Sequence, residues 1–127
     1  MKKTTLTLIT IATLISGCGD PAAERAAAEA KKAAVEAERS LSEIKQAVLV
    51  GLKDPDSAKF GKLTKAGDNY ACLDVNAKNT FGGYTGMKTF ALIRENGEWS
   101  VVTAVEFGHP LCVQAIQKMS ESKTASK

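Results

Sequence analysis

The chain has 127 residues, of which 44% are hydrophobic, 6% aromatic and 24% charged. This length allows one domain and is too short for a Rossmann fold or a barrel enzyme. The formal charge of +3 falls to +1 if residues 1–17 are removed, because Lys2 and Lys3 are lost and 15 basic residues then face 14 acidic ones. A protein with so small a net charge lacks the strongly positive surface that is typical of nucleic-acid-binding proteins, and we expect no nucleic-acid partner.

Residues 1–17 are predicted to be a signal peptide. Two lysines precede an apolar run over residues 6–15, which is too short to span a membrane as a helix of roughly 20 residues. The segment Leu14-Ile15-Ser16-Gly17-Cys18 resembles the lipobox of bacterial lipoproteins. The resemblance implies that Cys18 is diacylated and becomes the mature N-terminus. The alternative is an ordinary secretory signal followed by an unrelated cysteine.

Lipid on Cys18 would fix where the protein resides. Several acyl chains bind a bilayer far more firmly than one, so we expect a bacterial membrane-anchored protein that faces the periplasm. In enteric bacteria, an Asp directly after the lipidated cysteine favours retention at the inner membrane. Here Asp20 comes one position later. The outer membrane is therefore favoured over the inner one.

Residues 18–40 are predicted to form an alanine-rich helical stalk. Alanine is the strongest helix former, and Pro21 suits a first helical turn. Beyond Ser40, apolar residues spaced by three and four predict a helix with one buried stripe that continues to Leu52. The alternative is a break at Ser40, which could form a capping box with Glu43. Alanines continue the stripe through the stalk, so a homo-oligomer through this helix is an alternative to a monomer; they are Ala23, Ala26, Ala30, Ala33 and Ala37.

Residues 41–119 are predicted to form a folded domain of the α+β class. It comprises the end of the long helix, an antiparallel sheet of three to four strands and a short C-terminal helix. The polar end of the chain, 120–127, is predicted to be disordered. The predicted strands are 60–64, 70–76, 87–95 and 98–107, and the predicted second helix is 111–119.

The clearest local signal is a hairpin around Asn96-Gly97. Both residues tolerate the positive φ that a type I′ turn requires, and alternating runs flank them. A two-residue turn fixes the strand register. The expected pairs are Arg94 with Trp99, Leu92 with Val101 and Phe90 with Thr103. Together with Val105 and Phe107, these residues are expected to form a core face for the amphipathic helix.

The chain has three cysteines, an odd number for a secreted protein. If Cys18 carries lipid, only Cys72 and Cys112 remain to pair. Because the periplasm is oxidising, we expect a disulfide between them. Metal binding by these two thiols is the weaker alternative, since the chain has a single histidine to complete a site.

Residues that could perform catalysis are scarce. The single histidine, His109, lies between Gly108 and Pro110 and is expected to be a surface or capping residue. The spacing supports no Ser–His–Asp set, no catalytic pair of carboxylates and no metal cluster. We therefore expect no enzyme activity, no cofactor and no metal.

The loop 77–86 is the predicted working surface. Its glycines lack the Lys-Ser/Thr of a P-loop and are expected to provide backbone freedom rather than a phosphate site. Amide, ammonium and aromatic side chains around them are typical of recognition loops. The candidate binding residues are Asn76, Lys78, Asn79, Phe81 and Tyr84.

Two segments carry a resemblance to a protein family. They are residues 52–60, LKDPDSAKF, and residues 75–86, VNAKNTFGGYTG. Both look like segments of a family of small, mostly uncharacterised lipid-anchored or secreted proteins of proteobacteria and their prophages. The resemblance covers about residues 44–112, including Cys72 and Cys112. It supports the domain boundary and the disulfide but implies no activity.

These observations support several functional hypotheses. The first is an envelope lipoprotein with a non-catalytic domain that binds an envelope protein or a wall component. A prophage-type variant would exclude a second infecting phage. The alternatives are an oligomeric structural stalk and, less favoured, a small periplasmic enzyme or enzyme inhibitor.

Lipidation can be tested directly at Cys18. A Cys18→Ser variant lacks the thiol that is acylated, so we expect unprocessed precursor or a soluble form and no incorporation of labelled palmitate. Palmitate labelling equal to that of the wild type would contradict the lipobox assignment.

Overall fold

A computed structural model describes residues 20–105 and 108–126, so the signal peptide and Cys18 lie outside the described residues. The chain divides into two units, Met1–Ala33 and Ala34–Lys127. In the first unit, every described residue is exposed. The elements in chain order are helix α1 (Pro21–Leu49), a 3₁₀ turn (Pro55–Ser57), strands β1 (Lys59–Ala66), β2 (Tyr70–Asn76), β3 (Lys88–Glu95) and β4 (Glu98–Val105), and helix α2 (His109–Ala125).

Helix α1 has the start that the sequence predicts but ends earlier than expected. The carboxylate of Asp20 accepts a hydrogen bond from the N–H of Ala22 at 3.1 Å and so caps the first turn. The helix ends at Leu49 rather than at residue 52. There the N–H groups of Gly51 and Leu52 bond to carbonyls three residues back, which tightens and terminates the last turn.

The four strands form one antiparallel sheet in the order β1-β2-β3-β4, and the fold is α+β as predicted. Asn96 and Gly97 have φ angles of 53° and 87°, as the β3–β4 hairpin requires. Arg94 pairs with Trp99 as expected.

Leu92 also pairs with Val101 as expected, but the expected register fails beyond this pair, because a bulge follows it. Phe90 lies opposite Ala104, not Thr103. An extra residue in one strand reverses the faces that follow it. The predicted core face of β4 is therefore wrong beyond the bulge. Val101, which lies before the bulge, is also exposed, and Trp99 is the one buried residue of β4. Phe107 lies outside the described residues.

The central strand β2 is buried on both faces, because successive side chains of a strand point to opposite sides. A helix covers each face. The cluster that joins the sheet to α1 contains Ile44, Val48, Ala71, Leu73, Val75, Leu92 and Trp99. The cluster that joins it to α2 contains Ala66, Tyr70, Cys72, Cys112 and Ile116.

Two links fasten the first turn of α2 to β2. The predicted disulfide between Cys72 and Cys112 is present, with Cα atoms 6.1 Å apart. Asp74 lies two residues beyond Cys72 on β2, and its Oδ1 is 2.9 Å from Nδ1 of His109. The prediction of a surface histidine is wrong, since His109 is only 9% exposed. The pairing with Asp74 explains this, because a buried polar side chain requires such a partner.

Helix α2 is longer at both ends than the predicted 111–119, and the prediction of a disordered tail is wrong for residues 120–125. Two contacts are made in the extra turns. The hydroxyl of Thr124 donates to the carbonyl of Ser120 at 2.6 Å. The ammonium of Lys123 lies 6.0 Å from the centre of the Tyr70 ring. The end of the helix thus packs against the β1–β2 turn.

The disulfide should dominate the stability of the domain. The double variant Cys72→Ala/Cys112→Ala opens a loop of 40 residues without leaving a free thiol. The chain-entropy model assigns such a loop about 4 kcal/mol. We therefore expect the Tm, followed by circular dichroism, to fall by roughly 15–30 °C. A fall of less than about 5 °C would show that the packing of α2 suffices without the cross-link.

Candidate binding surface

The segments 52–60 and 75–86, which are separated by 14 residues in the chain, meet at one place in the fold. Ser57 connects them. Its hydroxyl accepts a hydrogen bond from the N–H of Lys78 at 2.9 Å and donates one to the carbonyl of Asp54 at 2.8 Å. We call the surface that these two segments form the motif surface.

Asn79 determines the shape of the loop between β2 and β3. Its Oδ1 accepts hydrogen bonds from the N–H groups of Phe81 and Gly83, at 3.0 and 3.1 Å. Its backbone N–H and carbonyl bond to the carbonyl of Gly83 and the N–H of Gly82. Gly82 has a φ of 80°, a conformation that glycine adopts at little cost. Four hydrogen bonds of one residue thus close a tight turn with Phe81 at its tip.

The two aromatic rings of the loop have different environments. Phe81 is 96% exposed, which is unusual for so apolar a side chain. Tyr84 is 43% exposed, and its ring centre lies 4.6 Å from the ammonium of Lys59 and 5.6 Å from that of Lys78. Ammonium groups are attracted to aromatic rings at these distances. The Tyr84 ring therefore restrains two lysine side chains, whereas the Phe81 ring is left exposed to solvent.

A cleft of about 280 Å³ lies between the two segments and the start of β3. Lysines from three parts of the chain line it, namely Lys53, Lys78 and Lys88, and no acidic residue does. The described residues form three salt bridges, and none of these lysines takes part in them. The cleft therefore presents three ammonium groups that form no salt bridge among the described residues.

The five predicted loop residues fall into two groups. Phe81, Tyr84 and Lys78 lie on the motif surface with accessible atoms. Asn79 is used to hold the turn, and Asn76 is half-buried with its Oδ1 enclosed and unpaired among the described residues. Sequence reasoning missed Lys53, Lys59 and Lys88. A signal was present for Lys59 and Lys88, because residues 57–67 and 75–94 contain lysines and no Asp or Glu, but not for Lys53, which Asp54 follows directly.

A hydroxyl–imidazole–carboxylate arrangement lies elsewhere, beneath α2. Thr64 Oγ1 is 2.8 Å from Nε2 of His109, whose Nδ1 meets Asp74. Asp74 also accepts a hydrogen bond from Thr89 at 2.6 Å. The connectivity is that of a hydrolase triad. However, Thr89 and His109 are buried, and the cleft of the motif surface is not lined by any of the four. We infer that this network holds the start of α2 on strands β1 and β2.

A second cleft, of about 320 Å³, lies between α2 and strands β3 and β4. Its lining is almost entirely apolar and includes the exposed side chains Val102, Leu111 and Met119. Sites for small molecules usually add a few polar groups that orient the ligand. Thr103 supplies the one polar side chain apart from the phenol of Tyr70. The motif surface combines apolar, polar and charged groups and is the better candidate.

No helix in residues 20–105 and 108–126 is long and apolar enough to cross a bilayer. The same residues contain no group of three or more side chains placed to hold a metal ion. Comparison of the chain with known protein families, curated proteins and solved structures finds no match.

The exposure of Phe81 predicts that it is dispensable for folding. Surface substitutions usually change stability by no more than about 0.5 kcal/mol, so we expect Phe81→Ala to shift the Tm by less than roughly 4 °C. The matched control is Phe90→Ala, because Phe90 packs against the core. We expect that variant to lose about 2 kcal/mol or more. A loss for Phe81→Ala as large as for Phe90→Ala would place the ring in the core.

Proposed function

We propose that this chain is a lipid-anchored bacterial envelope protein whose disulfide-tied domain faces the periplasm and binds a partner without catalysis. The anchor is Cys18 and the binding site is the motif surface. The outer membrane is the favoured location, because Asp20 is one position too late for the inner-membrane signal.

The binding role rests on a single observation, the nearly complete exposure of the Phe81 side chain to solvent. A nearly fully exposed aromatic ring gains free energy when a partner covers it, and aromatic side chains dominate the energetics of many interfaces. Asn79 fixes the turn before any partner arrives. A loop that is already ordered loses little conformational entropy on binding. The arrangement therefore supports recognition more than a structural role for the ring.

Two further observations support the location and the absence of catalysis. The Cys72–Cys112 disulfide suits an oxidising compartment such as the periplasm. The chain has one histidine, and its ring nitrogens lie within hydrogen-bond distance of Asp74 and Thr64 beneath α2. It therefore is not positioned to serve as a general base on the motif surface, where a partner would bind.

Cross-linking in living cells tests the binding role. A photoreactive phenylalanine analogue at position 81 should cross-link to the partner upon irradiation, since that ring would contact it. The product would be either a discrete adduct with a protein or protein retained covalently on purified wall sacculi. The matched control is the same analogue at Val35, which is 65% exposed on α1 and lines neither of the two clefts. Equal products from both positions, or none from position 81, would contradict the proposal.

A further inference from the structure

The motif surface has an excess of positive charge. Lys53, Lys59 and Lys78 belong to its two segments, and Lys88 follows at the start of β3. Asp54 and Asp56 are the acidic residues of the same segments. Neither carboxylate forms a salt bridge with these lysines among the described residues. The two segments therefore carry a net charge of +1, which Lys88 raises to +2, and the surface is complementary to an anionic partner.

The positions of these charges are restrained. The Tyr84 ring keeps the ammonium groups of Lys59 and Lys78 near one another, and the backbone of Lys78 is fixed by Ser57. The cleft beside them is lined by Lys53, Lys78 and Lys88. Its size, about 280 Å³, lies just below the range of about 300–1,000 Å³ for drug-sized ligands. It therefore suits a small carboxylated group, with the ring of Phe81 exposed nearby on the same loop.

Two properties of the surface favour a polymer other than protein or lipid. The cores of protein–protein interfaces are depleted in lysine, whereas lysine is the commonest charged residue here. Docking into a membrane interface draws on a broad apolar face in addition to electrostatic attraction to anionic lipids. The tip of this loop offers one fully exposed apolar side chain, Phe81. The glycan of the cell wall combines carboxylates, borne on short peptides, with sugar rings whose C–H faces can pack on an aromatic ring.

We infer that the motif surface binds the carboxylated glycan of the bacterial wall, with lysines of the cleft pairing with peptide carboxylates and Phe81 packing on a sugar ring. This inference rests on the proposed function and names its partner. The hydroxyls of the exposed residues Thr80 and Thr85 provide further hydrogen-bonding groups on the same loop.

Co-sedimentation tests the inference. The probe is purified, protein-free wall sacculi, and the protein is the full chain in mild detergent. We expect it to pellet with sacculi and to be released as salt screens the lysines. Phe81→Ala should weaken binding on the order of 30-fold, the effect of losing an interface anchor. Lys53→Gln/Lys88→Gln should weaken it on the order of tenfold. The matched control, Lys31→Gln/Lys32→Gln, removes the same charge from exposed positions of α1 and should bind as the wild type does.

Other outcomes of these experiments would contradict the inference. Failure to pellet, or equal binding by the motif-surface and control variants, overturns the inference. Binding to anionic phosphatidylglycerol vesicles but not to sacculi would assign the surface to lipid and overturn it as well. If position 81 still cross-links to a protein in cells while sacculi do not bind, the proposed binding role stands and the wall inference falls. If neither occurs, both fall.

Discussion

The structure depends on the burial of β2 on both faces. Without α2, the apolar side chains of the sheet that face this helix would be exposed to water, which costs free energy, so the second helix must be held in place. The Cys72–Cys112 disulfide and the Asp74–His109 contact do this from one turn of α2. With both faces covered, β2 and β3 are fixed, and the loop between them projects from a rigid base.

The sequence predicted the elements that local signals specify. The type I′ hairpin at Asn96-Gly97, the stripe of Ile44 and Val48 and the α+β class are all confirmed. The sequence did not predict features that depend on tertiary contacts. The bulge in β4 depends on sheet packing, and the burial of His109 requires Asp74 from 35 residues earlier in the chain. The last turns of α2 form because they pack on the β1–β2 turn.

The candidate site was predicted in part, for a similar reason. The loop 77–86 has a local composition that indicates recognition, and Phe81 is exposed as expected. The lysines of the cleft come from three separated segments, so only the fold brings them together. Ser57 is the residue that joins the segments, and a lone serine in a sequence gives no sign of such a role. A rigid turn beside an uncompensated positive cleft is the structural basis of the proposed function.

The central claim is that the two segments form a single binding surface. The most direct measurement is an NMR titration of the ¹⁵N-labelled full chain in detergent micelles with soluble fragments of the wall glycan. The account predicts amide shift changes confined to residues 52–60, 75–86 and the start of β3, with both segments titrating at the same ligand concentration. Changes confined to the apolar cleft beside α2, or to one segment alone, would contradict it.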